Sequence, residues 1–254
     1  MKLTPWKRFL FSAVPFAVLG AAFKVMTLVE GLTEVRPANA IPLLAGLLCG
    51  PAGALGCAAG NLVADFFGSL SRASVLGMVG NFLAAYLPWR LWYLFSREKP
   101  NVHTWKNLAI YAGLSLASAL TVAWLLSFGL ELFFGKWIGE IYRYVFFNNF
   151  AFSLCLGLPL FIVLISDSVQ IEPSAPPRTV SARCRRGLQI TAGVYTALMI
   201  LILAGVFTGR HLSNSVPMDI LSAVSAAMLC RLCIPLGRRL RFSTEDAGQK
   251  AGRI

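Results

Sequence analysis

Residues 38–68 read ANAIPLLAGLLCGPAGALGCAAGNLVADFFG. Its apolar course is broken at Gly50-Pro51-Ala52-Gly53, and glycine and proline are the strongest local punctuators of a helix. Each piece they leave is about 14 residues, short of the roughly 20 that cross a hydrocarbon core. The segment is therefore either a re-entrant hairpin or two thin, buried half-length helices, because irregular backbone at membrane depth must be covered by protein. Both options return the chain to the side from which it entered.

The residues around this segment require lipid as the solvent. Of 254 residues, 57% are hydrophobic and 13% charged, against about 25% charged in soluble domains. Longer apolar runs fall at 9–29, 74–96, 107–134, 144–166, 189–208 and 218–236. The expected fold is an all-α, polytopic membrane helical bundle. A core at 1–167, with short helices at about 38–51 and 53–68, is followed by a Pro/Ser-rich linker at 168–188. An extra transmembrane hairpin at 189–236 and a basic tail at 237–254 complete the chain. The first run is read as a retained span. It exceeds a signal h-region of about 7–15 residues and carries Lys24, and Glu30, Glu34 and Arg36 separate it from the cleavage-like Ala38-Asn39-Ala40.

The formal charge is +12, but the basic residues sit at the ends of apolar runs rather than on one face. That placement signals topology and contact with anionic lipid headgroups, and it argues against nucleic acid. With the N-terminus inside, Lys2, Lys7, Arg8, Arg90, Arg97, Lys99, Lys106, Arg178, Arg183, Arg185, Arg186, Arg231, Arg238, Arg239, Arg241, Lys250 and Arg253 all fall inside, seventeen of 23. The expected location is the bacterial cytoplasmic (inner) membrane, multi-pass, with both termini cytoplasmic.

The chain carries no P-loop, G-x-S-x-G or dinucleotide fingerprint. His103 and His211 are far apart, and the six cysteines are scattered. The Cys230-x-x-Cys233 pair lies in an apolar run with no histidine nearby and reads as small hydrophobic filler. No catalytic residue, metal site or cofactor is expected, and the chain is not read as an enzyme.

Polar residues inside apolar segments are the candidates for function. Asn61 and Asp65, four apart, share a helix face beside the small-residue stripe Gly56, Gly60, Ala64 and Gly68. Asp65 either lines a site or pairs structurally with Arg36 or Arg72. Glu30, Glu34, Arg36 and Asn39 line the same outer vestibule. Asn81, Asn148 and Asn149 either bond across helices or read a ligand, and convergence on one cavity decides for the ligand. Trp137, Tyr142 and Tyr144 read as an aromatic interface belt. Ala13, Ala17 and Ala21 form a small-residue face on the first helix, suited to close approach by another helix within the protein or from a partner.

Three of these features together resemble the S component, the substrate-binding membrane subunit, of energy-coupling factor (ECF) transporters. They are the Ala13-x-x-x-Ala17-x-x-x-Ala21 face, the segment Arg36-Pro37-Ala38-Asn39-Ala40-Ile41-Pro42 followed by Gly50-Pro51-Ala52-Gly53 and Gly60-Asn61-Leu62-Val63-Ala64-Asp65, and six membrane segments up to about residue 167. The resemblance implies a six-helix S-component-like core that binds a vitamin or other small micronutrient. It also implies a coupling membrane subunit docked on the alanine face and two ATPase subunits. The hairpin at 189–236 departs from that pattern. A self-sufficient secondary transporter or channel using Asp65 for ion or proton coupling is the alternative, and a membrane sensor or scaffold is a third reading.

Overall fold

The computed structural model describes residues 2–23, 26–29, 33–68, 70–135, 139–167, 169–177, 180–208 and 216–234, without the side chains of 27–34 and 216–219. Glu30, Trp137 and the tail at 237–254 therefore lie outside the described residues, as does the Glu34 side chain.

Helix α1, Pro5–Ala22, starts on Thr4, whose hydroxyl accepts from the Lys7 amide at 3.4 Å, with proline at its first position. It is shorter than the apolar run 9–29. The chain leaves the helix at Phe23 and forms a two-stranded antiparallel ribbon, β1 (Thr27–Val29) with β2 (Thr33–Glu34). Apolarity alone does not fix helix length. The β-branched Thr27, Val29 and Thr33 favour extended pairing, and the ribbon carries the chain back to Arg36.

The stretch from Pro37 runs as a 3-10 turn (Pro37–Ala40), helix α2 (Ile41–Leu44) and a π-helical turn (Ala45–Cys49), leading into α3 (Gly50–Phe66). It is long and apolar enough to span a membrane if straight, but it is folded back on itself at Gly50, where φ is +62°. A Cβ placed on Gly20 would lie 2.7 Å from the Ala64 Cβ and 4.0 Å from the Ala38 Cβ. In a straight helix residues 38 and 64 would be about 39 Å apart. At the other end, an Arg8 guanidinium nitrogen bonds the Leu48 carbonyl. The chain thus descends along α1 from Ala38 to Cys49, turns, and rises as α3 parallel to α1. Close packing makes this possible: a Cβ on Gly53 would sit 2.5 Å from the Ala45 carbonyl oxygen, and one on Gly60 would sit 2.7 Å from that of Ala13.

Helix α4 (Ser74–Phe95) packs on α3, α5 (Trp105–Phe134) on α4, and α6 (Gly139–Phe152) on α5. A π-helical turn, Ser153–Gly157, joins α6 to α7 (Leu158–Ile165). The last two helices are α8 (Ala182–Phe207) and α9 (Val216–Cys233). The first packs against α4, α5 and α6, and the second against α4 and α8. The fold is an all-helical bundle of membrane type. Besides 37–66, the stretches 105–134, 139–165 and 182–207 are long and apolar enough to cross a membrane. Apolar side chains such as Val14, Val18, Phe66 and Leu201 point outward, as lipid as solvent requires.

The linker differs from its sequence reading in two ways. Helix α8 begins at Ala182, capped by the Ser181 hydroxyl, rather than near 189. Before it, residues 171–175 are docked. Ile171 is buried, the Ser174 amide donates to the Leu48 carbonyl at 2.8 Å, and the Trp89 indole donates to the Ala175 carbonyl at 3.1 Å. Composition reports polarity but not these backbone partners.

The α4–α5 loop carries a pH handle outside the helices. Asn107 donates to the Glu98 carboxylate at 3.0 Å and Asn101 at 3.3 Å. These bonds, Asn107 foremost, hold the carboxyl below its ordinary value of 4.5, and Lys106 and His103 add smaller pulls. A carboxyl depressed by folding stabilises above its unfolded pKa and loses that contribution as pH falls through the folded value. Glu98→Gln is therefore expected to flatten the dependence of Tm on pH below about pH 5. At pH 7 it changes Tm little, because the group is exposed.

Candidate functional site

Arg36, Asn39, Asn61, Asp65, Asn81, Asn148 and Asn149 converge at the end of the bundle opposite Arg8, Arg90, Arg97 and Arg185. Helix α3 presents Asn61 and Asp65, which are 0% and 3% exposed. The Asn61 amide nitrogen donates to the Asp65 carboxylate at 3.1 Å, the i, i+4 contact expected from their spacing. Arg36, arriving from β2, bridges both residues. It donates to the Asn61 Oδ1 at 3.0 Å and forms an ion pair with Asp65 at 3.1 Å.

The amide orientations follow from this network. Asp65 only accepts, so the Asn61 nitrogen faces it and the Asn61 oxygen faces Arg36. The same oxygen receives the Asn81 amide nitrogen at 3.0 Å, and that nitrogen also donates to the Gly77 carbonyl at 3.0 Å. The Asn81 Oδ1 is left buried without a hydrogen bond among the described residues. Gly77 is glycine for a local reason: a Cβ there would sit 3.1 Å from the Asn61 amide nitrogen.

From the other side, α6 contributes Asn148 and Asn149, each 8% exposed. The Arg36 amide donates to the Asn148 Oδ1 at 3.3 Å, and the Asn149 nitrogen returns to the Val145 carbonyl at 2.9 Å. Arg36, Asn39, Asp65, Asn81, Asn148 and Asn149 line a cavity of about 70 Å³, closed on its apolar side by Val122, Leu126 and Leu130 of α5 and by Ile141 and Val145 of α6. Asn61 stands directly behind Arg36 and Asp65 as their positioning partner.

Asp65 is paired with Arg36, one of the two partners the sequence offered, and it also lines the cavity. Ser71, Ser74 and Gly77 also line it. Sequence reasoning did not single them out, because serine and glycine are small, common residues whose position at a cavity depends on how remote helices pack. Tyr142 is not part of an interface belt. It is fully buried, while Tyr144 is exposed.

The alanine face has a partly internal role. The residues of α1 buried in the protein are Arg8, Ser12, Phe16 and Gly20, one position before each alanine of the stripe and its N-terminal extension. Ala13, Ala17 and Ala21 are half-buried at the rim of this contact, with Gly60 packed against the backbone of Ala13 and Ala17. Among the described residues no group of His, Cys, Asp and Glu is arranged to hold a metal ion. Comparison with known proteins finds no matching family model, no matching curated protein and no matching solved structure.

Proposed function

We propose that this chain is the substrate-binding membrane subunit of an ECF-type importer for a small, water-soluble micronutrient, resident in a bacterial cytoplasmic membrane with both termini inside. In this reading a six-helix S-component-like core is completed by the α8–α9 hairpin as added packing surface. The observation that carries it is the convergence of Arg36, Asn39, Asp65, Asn81, Asn148 and Asn149 on one cavity between α3, α4, α5 and α6. Amide groups held in fixed orientations recognise hydrogen-bonding edges on a small polar ligand. Among the described residues, Lys2, Arg8, Arg90, Arg97, Lys99 and Arg185 gather at the other end of the bundle, the pattern of an inner face, which suits capture from outside at this one.

Asp65 as an ion-coupling carboxylate is less well supported, because it already forms an ion pair with Arg36. Uptake by the chain alone, reconstituted in liposomes with an imposed ion gradient, would favour that second reading.

The direct test is mass spectrometry of small molecules retained after gentle purification, followed by binding of the identified compound. Co-purification with a coupling membrane protein and an ATPase pair tests the assembly. Ala17→Leu is expected to abolish that association while leaving Tm nearly unchanged, because Ala17 sits at the rim of the α1–α3 contact. Intact association and uptake in Ala17→Leu would remove the alanine face from the docking role.

A further inference from the structure

At the other end of the bundle, the docked linker roofs a second cavity, of about 820 Å³. Lys2, Arg8, Arg90, Arg97, Lys99 and Arg185 all line it, with Glu172 the only acidic residue among the described ones doing so. Two of the arginines are deeply buried: Arg8 is 8% exposed and Arg90 5%. Backbone carbonyls take three of the five side-chain donors of Arg8 and two of those of Arg90. Arg8 bonds the carbonyls of Leu3, Leu48 and Glu172, and Arg90 bonds those of Leu232 and Ile234.

Carbonyls satisfy hydrogen bonds but carry no net charge. Among the described residues no carboxylate pairs with Arg8, Arg90, Arg97 or Arg185, and the Glu172 carboxylate is engaged by Lys99 at 3.5 Å. Buried cations with no opposing charge are costly. The described lining of this cavity gathers six cations against one anion.

We propose that this cavity binds a phosphate group, held between Arg97 and Arg185 at the rim and the buried Arg8 and Arg90 within. Basic pockets between helices commonly receive lipid headgroups. Here Tyr93, Leu94 and Leu188 add an apolar wall. Because the linker and the start of α8 form one side, an occupant ties the α8–α9 hairpin to the earlier helices. The site is independent of the polar cavity and of the transport reading.

The test uses delipidated full-length protein in neutral detergent and follows Tm, with native mass spectrometry for bound lipid. Phosphatidylglycerol at a hundredfold excess over its Kd is expected to raise Tm by about 5–10 °C and to remain bound, whereas phosphatidylcholine does neither. The double variant Lys2→Gln/Arg97→Gln alters two exposed residues, so it should fold and lose most of the shift; Arg143→Gln, at the opposite end, should keep it. An equal shift with inorganic phosphate at matched ionic strength would identify the occupant as soluble phosphate. No shift with either probe overturns the proposal, as does a shift undiminished in the double variant.

Discussion

Gly46→Val is expected to yield no stably folded protein. Gly46 lies in the π-helical turn Ala45–Cys49, and a Cβ there would collide with the Ala85 carbonyl of α4. The obstacle is backbone inside a buried helix, so no rotamer change relieves it. Overpacking a close-packed interior usually costs about 1–3 kcal/mol. A branched side chain driven into a main-chain carbonyl belongs at or above the top of that range, a large share of a total stability of about 5–15 kcal/mol. Gly113 of α5 provides the control, since nothing lies within 4 Å of a Cβ added there. Gly113→Ala should be neutral or stabilising by up to about 1 kcal/mol through helix propensity. Monodispersity and Tm in detergent measure both. A well-folded Gly46→Val protein would mean that the π-helical turn Ala45–Cys49 does not pack on α4.

Asp65→Asn is expected to be the most damaging single change in the polar cavity. It removes the charge opposing Arg36 and one acceptor of the Asn61 amide. Removing one partner of a buried pair costs about 3–5 kcal/mol. The Arg36 side chain is 18% exposed, so about 2–4 kcal/mol is the better expectation, read as loss of Tm and of bound small molecule. Arg36→Met alone should be similarly harmful, because it leaves Asp65 buried and loses the bond to Asn61. The double variant Arg36→Met/Asp65→Asn should recover stability, giving a coupling energy of about 1 kcal/mol or more. Ligand binding should stay lost. If the double variant instead binds ligand as well as the parent, the pair is structural and the cavity is not the binding site.

Much of this was legible in the residues themselves. The composition excludes a soluble exterior, and the Gly50-Pro51 break sets the fold-back of the segment after it. The Asn61–Asp65 spacing places both groups on one face. Each is a local property, governed by helix period or by the φ accessible to glycine. The end of α1 at Ala22 was not legible, because the run to Val29 is as apolar as a helix and only strand pairing ends it. Nor was the docking of residues 171–175, whose partners, Leu48 and Trp89, are remote in sequence.

The amino-acid sequence by itself therefore determined the solvent, the helical class, the fold-back at Gly50 and the identity of the polar residues that lipid makes expensive. Tertiary structure alone decided that Arg36 and Asp65 meet over Asn61, that α6 brings Asn148 to the same cavity, and that Arg8 and Arg90 lie buried under one roof. The physical reason is distance along the chain. Burial costs can be assigned residue by residue, whereas the partner that offsets each cost is fixed only when remote helices pack.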